Sequence, residues 1–283
     1  MPKNIPRYDR IVSLVLVVLL GLAVILLIDI NPNILRARLG GDLPTIAVSW
    51  LLMATLVLLT SAGADLLVRA HPQMQSYNFP QIRLGRSRIE IAPGFWILPA
   101  FSIVAPFAFF RIFYPTAPGG ALVLALLVAG GLLLAVLIGQ FFALERDPQV
   151  RQPARLTLQI VSYVLVYGCF SAIIFARMRT LYSASLIAFC ATLLAYEILR
   201  WQAQTRRIGL AALVGVVLAE ATWALNYWPA TFMISGAVLL VFFYVVVGLL
   251  MHYAAGTLQR RVILEYSTLA GLLLLILVST VLF

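Results

Sequence analysis

The stretch Ile11-Val-Ser-Leu-Val-Leu-Val-Val-Leu-Leu-Gly-Leu-Ala-Val-Ile-Leu-Leu-Ile28 contains no ionisable side chain and one hydroxyl, that of Ser13. A helix needs about 20 consecutive apolar residues to cross the hydrocarbon core of a bilayer. Two further runs of this kind, Gly119 to Ala143 and Phe232 to Met251, also carry no charge. Across all 283 residues, 63% are hydrophobic and 11% are charged, with a mean hydropathy of +1.03. Soluble domains carry about 25% charged residues. A water-soluble core cannot absorb that surplus of apolar side chains, whereas lipid can. The fold class is therefore all-α, a polytopic transmembrane helix bundle, and residues 1–283 read as a single integral membrane domain.

Nine helices are predicted, at 11–29, 45–68, 94–113, 119–142, 157–176, 181–200, 208–228, 232–253 and 262–282. The first is a retained span rather than a cleaved signal peptide: it is longer than an ordinary h-region, and Ile28-Asp29-Ile30-Asn31 has no pair of small residues to cut at. Basic residues set the orientation, because cytoplasmic loops hold the excess of Lys and Arg. With the N-terminus inside, the inner segments hold 15 of the 20 basic residues and the outer segments hold 5. The sequence thus predicts a multi-pass protein of the cell membrane, of the bacterial inner-membrane type, with a cytoplasmic N-terminus and an extracytoplasmic C-terminus. The net charge of +10 belongs to these short loops, so no nucleic-acid partner is expected.

A local pattern stands out in the longest loop, 70–93. In Pro80-Gln-Ile-Arg-Leu-Gly-Arg-Ser-Arg-Ile-Glu-Ile-Ala-Pro93, apolar and polar residues alternate on both sides of Gly85-Arg86. Gly at the first central position suits a two-residue type II′ turn. The pattern predicts a short cytoplasmic β-hairpin between helices two and three, pairing Leu84 with Ser87, Arg83 with Arg88 and Ile82 with Ile89. Like charges directly opposite are unfavourable, and an isolated hairpin is marginal. Arg83, Arg86 and Arg88 are accordingly candidates for binding lipid headgroups on an anionic inner leaflet; packing on the helix ends with the arginines in water is the other reading.

Three helices expected to run inward end on an acid and an arginine: Asp65 with Arg69, Glu145 with Arg146, and Glu197 with Arg200. A duplicated helical unit would produce this echo, as would interfacial salt bridges. Glu265 follows Arg261 by four residues, the spacing of an intrahelical pair.

The carboxylate the bilayer tolerates least is Glu220, slightly past the middle of span seven. An acid at that depth costs about 2.5–3.5 kcal/mol on insertion scales and calls for a cavity, a partner or a proton. Trp223 and Tyr227 share its helical face, with Asn226 close by. Arg111, Arg177 and Arg179 lie on the outer side, as does Asp29 at the end of helix one. Together these residues are predicted to form an outward-facing polar vestibule, although each alone is an ordinary snorkelling anchor. In helix three, Pro99 and Pro106 predict a broken or kinked backbone.

No metal or cofactor site is expected. Cys169 and Cys190 fall within spans five and six without ligand spacing, and His71 and His252 do not suit haem. Metalloprotease, nucleophile-elbow, phosphate-loop and Asp-rich prenyl-diphosphate motifs are absent. The leading functional reading is a transporter or permease-like protein with a polar cavity around Glu220. A membrane-embedded enzyme acting on a lipid or lipid-linked substrate is the second reading, with Glu220 or Asp29 as acid or base and an arginine holding phosphate. The third is a structural or assembly subunit of a larger membrane complex. The expected partners are membrane lipids, anionic ones among them, and another membrane protein or a second copy.

Overall fold

The computed structural model describes residues 7–30, 36–37, 46–72, 81–84, 87–90, 93–201 and 207–282. Among the described residues there are nine α-helices: α1 (Tyr8–Ile30), α2 (Val48–Arg69), α3 (Ile97–Phe110), α4 (Pro118–Ala143), α5 (Pro148–Phe175), α6 (Thr180–Leu199), α7 (Arg207–Leu225), α8 (Phe232–Ala254) and α9 (Arg260–Leu282). Eight of them are long and apolar enough to cross a membrane; α3 is the shorter one. Two short antiparallel pairings accompany them, β1 (Arg36–Ala37) with β2 (Ile46–Ala47) and β3 (Gln81–Leu84) with β4 (Ser87–Glu90). In the second pairing the backbone register sets Arg83 opposite Arg88 and Ile82 opposite Ile89. Its connecting residues Gly85 and Arg86 lie outside the described residues, as do the side chains of both strands. The architecture is all-α.

By compactness the chain divides into two units, Met1–Val161 and Ser162–Phe283. The core of the first unit follows from helical spacing. On α1, Val15, Val18, Leu22, Ile25 and Leu26 are buried against Met53 and Leu56 of α2, Ile103 and Phe107 of α3, and a seam on α4. That seam reads Ala121, Ala125, Ala129, Leu133, Leu137, one residue every four. Lipid tails are as apolar as leucine, so helices associate in a membrane through close packing, and small residues permit it. The remaining faces point outward: Leu16, Leu20 and Leu27 on α1, and Leu124 and Leu127 on α4, are exposed. Such a surface suits a hydrocarbon solvent.

Helix α3 departs from expectation at both ends. The sequence predicts a span over 94–113, but the α-helix runs only from Ile97 to Phe110, with 3-10 turns before it at Pro93–Phe95 and after it at Arg111–Phe113. Pro99 is therefore not an interior break. It is the third helical residue, where an N–H has no intrahelical acceptor to lose, and Pro106 alone lies inside. The ends of α3 are tied to known levels. At its entry, Ser61 of α2 and Gln140 of α4 donate to the carbonyls of Trp96 and Phe95, at 3.5 and 3.4 Å. Its exit residue Arg111 meets Asp29 at the end of α1. Helix α3 thus runs in the same direction as α1, across the bundle from it, and packs antiparallel to α2 and α4.

Helix α5 begins nine residues before its predicted start, at Pro148 rather than 157. The cause is a cap. Asp147 accepts the Gln149 N–H with its carboxylate at 2.9 Å and the Arg151 N–H with its backbone carbonyl at 2.9 Å. Proline in the first helical position is pre-set for that geometry.

In the second unit, α6 and α7 pack most closely. A Cβ on Gly215 would meet the Ala188 carbonyl oxygen at 2.7 Å, so glycine is what brings the two backbones together. Aromatic rings join α5 to α8, with Tyr163 and Phe170 both edge-on to Phe243 at 6.0 and 6.2 Å. Helix α9 touches α8 along one seam, where Tyr266 lies against Gly248 and 5.4 Å from the Tyr244 ring. None of its membrane-length stretch is buried.

Candidate functional site

Asp29 closes the last turn of α1. A carboxylate there faces the negative end of the helix dipole, so it needs partners, and it has two. Ser49, in the first turn of α2, donates its hydroxyl to Oδ1 at 2.8 Å. Arg111 brings its Nε to 2.9 Å from Oδ2. The Asp29 side chain is 4% exposed and that of Arg111 is 34% exposed. The Tyr114 hydroxyl belongs to the same cluster. Burial and the Asp29 carboxylate push its pKa up to about 12, against the opposing pull of Arg111. Three helices are fastened at one end of the first unit by a carboxylate whose two oxygens are both engaged.

A second polar cluster holds the opposite end. His71, just past α2, is fully buried, stacks edge-on to Phe141 with centroids 4.6 Å apart, and sets Nε2 3.5 Å from Glu145 Oε2. Burial lowers the His71 pKa, partly offset by the Glu145 carboxylate. Arg69 pairs with Asp65 along α2 at 2.7 Å. Of the three acid–arginine endings, two form the same-helix pair, Asp65–Arg69 and Glu197–Arg200 (2.9 Å). Glu145 turns instead to His71. That contact was missed because it depends on two helices ending at the same level, which sequence spacing does not encode. Arg261 and Glu265 form the expected exposed pair at 3.0 Å.

Glu220 lies in the second unit and is exposed on α7. Trp223 and Tyr227 are exposed with it, at 55% and 85%. Asn226 turns aside and donates to the Ser183 hydroxyl of α6 at 3.3 Å. Arg177 and Arg179 occupy the connection between α5 and α6, both exposed, with Arg177 in the left-handed region at φ 44°. The residues grouped by sequence as one vestibule therefore have separate engagements. Asp29 and Arg111 neutralise one another in the first unit, and Asn226 serves the α6–α7 contact. Glu220, Trp223 and Tyr227 form an outward face. Arg86 lies outside the described residues, and for Arg83 and Arg88 only the backbone pairing is described.

Cys169 and Cys190 are free thiols, facing one another between α5 and α6. Among the described residues, no group of three or more His, Cys, Asp or Glu side chains is arranged to hold a metal ion.

The first unit also carries an apolar groove of about 390 Å³ between α4 and the start of α5. Ala135, Ile138, Gly139 and Phe142 form one wall; Val150, Pro153, Ala154 and Thr157 form the other. Each wall is one helical face, at spacings of three and four.

A family model described as "Protein of unknown function (DUF5656)" matches residues 30–280, from the last residue of α1 to the final turn of α9. No curated protein and no solved structure matches the chain.

Proposed function

We propose that this chain, which belongs to the DUF5656 family, is a multi-pass membrane subunit that recruits a helix of another membrane protein to the Glu220 face of α7. The observation that carries the reading is the exposed carboxylate itself. Glu220 lies within the apolar stretch Ile208–Leu225, and among the described residues no hydrogen bond or ion pair engages it. A lone acid facing lipid is expensive. A donor or a cation from outside the chain removes that cost, and lipid tails offer neither. The opposite face of α7 is already committed to α6 through Gly215. What α7 and the turn after it present outward is a stripe: Gly209, Ala212, Val216, Glu220 and Trp223 on the helix and Tyr227 just past it, all exposed. Small residues at one end, aromatic anchors at the other and one polar group between them suit a second helix lying along α7.

The other readings find less support. Transport coupled through Glu220 asks for an enclosed polar cavity around it, and an exposed position offers none. Lipid chemistry at Asp29 asks for a carboxylate free to exchange a proton, whereas Ser49 and Arg111 occupy both of its oxygens.

For the topology, the reading keeps nine crossings, with the N-terminus inside and the C-terminus outside. If α3 stays on one side, the same twenty basic residues divide ten and ten between the two faces. If α3 crosses, the division is 15 to 5. The direction of α3, against α2 and α4, supports the crossing.

The test is a photo-crosslinking amino acid at Val216, compared between the native chain and Glu220→Leu in the same membranes. Crosslinks to a protein that disappear in the variant are the expected result. Crosslinks to lipid alone in both would overturn the proposal.

A further inference from the structure

We propose that the groove between α4 and α5 is a binding site for an anionic phospholipid, with one acyl chain between the helices and the phosphate at Arg146 and Arg151. The walls come first. Seven of the eight lining residues have no polar side-chain atom, and the eighth, Thr157, donates its hydroxyl to the Pro153 carbonyl at 3.0 Å. Nothing in the lining holds water, so an apolar occupant is required. The volume, about 390 Å³, falls in the roughly 300–1,000 Å³ range of small-molecule sites.

The shape excludes a helix as the occupant. Helices α4 and α5 are joined by only four residues, 144–147, which keeps the two walls adjacent. Beneath the groove they touch: a Cβ on Gly139 would meet the Leu158 side chain at 2.9 Å. A helix is about 10 Å across with its side chains and cannot enter such a cleft, whereas a single hydrocarbon chain can. Each wall runs over eight residues, about 10 Å at 1.5 Å per residue. That length accepts the upper part of an acyl chain and leaves the rest among bulk lipid.

Charge selects the headgroup. The groove ends at Phe142 and Val150, on either side of the connection that carries Arg146. Arg146 is exposed, and Arg151, one turn into α5 and adjacent to Val150, is half-buried. The acids nearby are otherwise used. Glu145 faces His71 at 3.5 Å, and Asp147 accepts the Gln149 N–H at 2.9 Å. The positive end of the α5 dipole faces the same way. Apolar walls leading up to two arginines match a lipid whose phosphate carries net negative charge, and zwitterionic lipids match less well.

The experiment reconstitutes the full-length purified chain in nanodiscs of phosphatidylcholine. These contain a trace of phosphatidylglycerol, or of phosphatidylcholine, with a photoactivatable acyl chain, and the labelled peptides are mapped by mass spectrometry. The expected result is labelling of residues 135–157 several-fold stronger with the anionic probe. Ala135→Trp, which fills the groove, should reduce that labelling several-fold and leave labelling of α9 unchanged. Thr157→Phe, from the opposite wall, repeats the test should the first variant fail to fold. Arg146→Gln with Arg151→Gln should abolish the preference for the anionic probe, and Glu220→Leu should have no effect. Equal labelling by both probes, unchanged by either bulky residue, would mean annular lipid only and would overturn the proposal.

Discussion

Replacing Arg111 by Gln tests whether the Asp29 cluster holds the first unit together. In the native chain, Asp29 accepts the Ser49 hydroxyl at 2.8 Å and faces the Arg111 Nε at 2.9 Å, with 4% of its side chain exposed. Removing one member of a fully buried ion pair costs about 3–5 kcal/mol, because the other charge is left unpaired. Arg111 is about one-third exposed, so water already screens part of the pair and the cost drops below that range, to about 2–3 kcal/mol. At 1.4 kcal/mol per decade, the folded-to-unfolded ratio falls by about a hundredfold. Reversible unfolding in mixed micelles, followed by tryptophan fluorescence, measures this. The double change Asp29→Asn with Arg111→Gln removes the stranded charge and should recover about half the loss. Tyr114 gives an independent readout. Its pKa of about 12 is raised by burial first and Asp29 second, so Asp29→Asn should lower it and Arg111→Gln should raise it. Because the folded value lies above the unfolded one, this phenol contributes stability below pH 10 that is lost as pH rises through about 12. An Arg111→Gln protein within about 0.5 kcal/mol of native, or a double variant no more stable than the single, would refute the latch.

His71 gives a pH dependence of the opposite sign. Its folded pKa is depressed, so stability should fall as pH drops below about 6.5, and His71→Asn should flatten that slope in thermal melts. Reporter fusions after Leu84 and after Thr116 should read opposite sides of the membrane, cytoplasmic and external respectively. The same side for both would leave α3 uncrossed and remove the nine-span topology.

The helices were legible because hydrocarbon demands an uninterrupted apolar run, and every helix end falls within three residues of expectation except the α5 start, which lies nine residues earlier. That start lies before the apolar run, because Asp147-Pro148 is a capped helix entry and the helix carries Arg151 and Arg155 in its first turns. The site was less legible. Glu220 could be singled out on cost alone, but whether it faces inward or outward depends on which face of α7 Gly215 commits to α6, and the sequence around it is apolar on every side. Arg111 could be placed near the outer surface but not assigned to Asp29, since that pairing requires α1 and α3, each packed on α2 and α4, to end at the same level. The α4–α5 groove had no signature at all, being the space left by Gly139 and two alanines.

Helix α9 meets the rest of the second unit along one line: Val262, Tyr266, Ala270, Leu274 and Leu277 are half-buried, and the intervening positions are exposed. Selection on this helix should therefore act with a period of about four. Leucine, isoleucine, valine and phenylalanine are interchangeable on the lipid-facing positions, because lipid is a solvent and not a template. At Tyr266, whose ring rests on Gly248, a change in one residue calls for a matching change in the other. Drift along α9 would be fast in composition and slow in register.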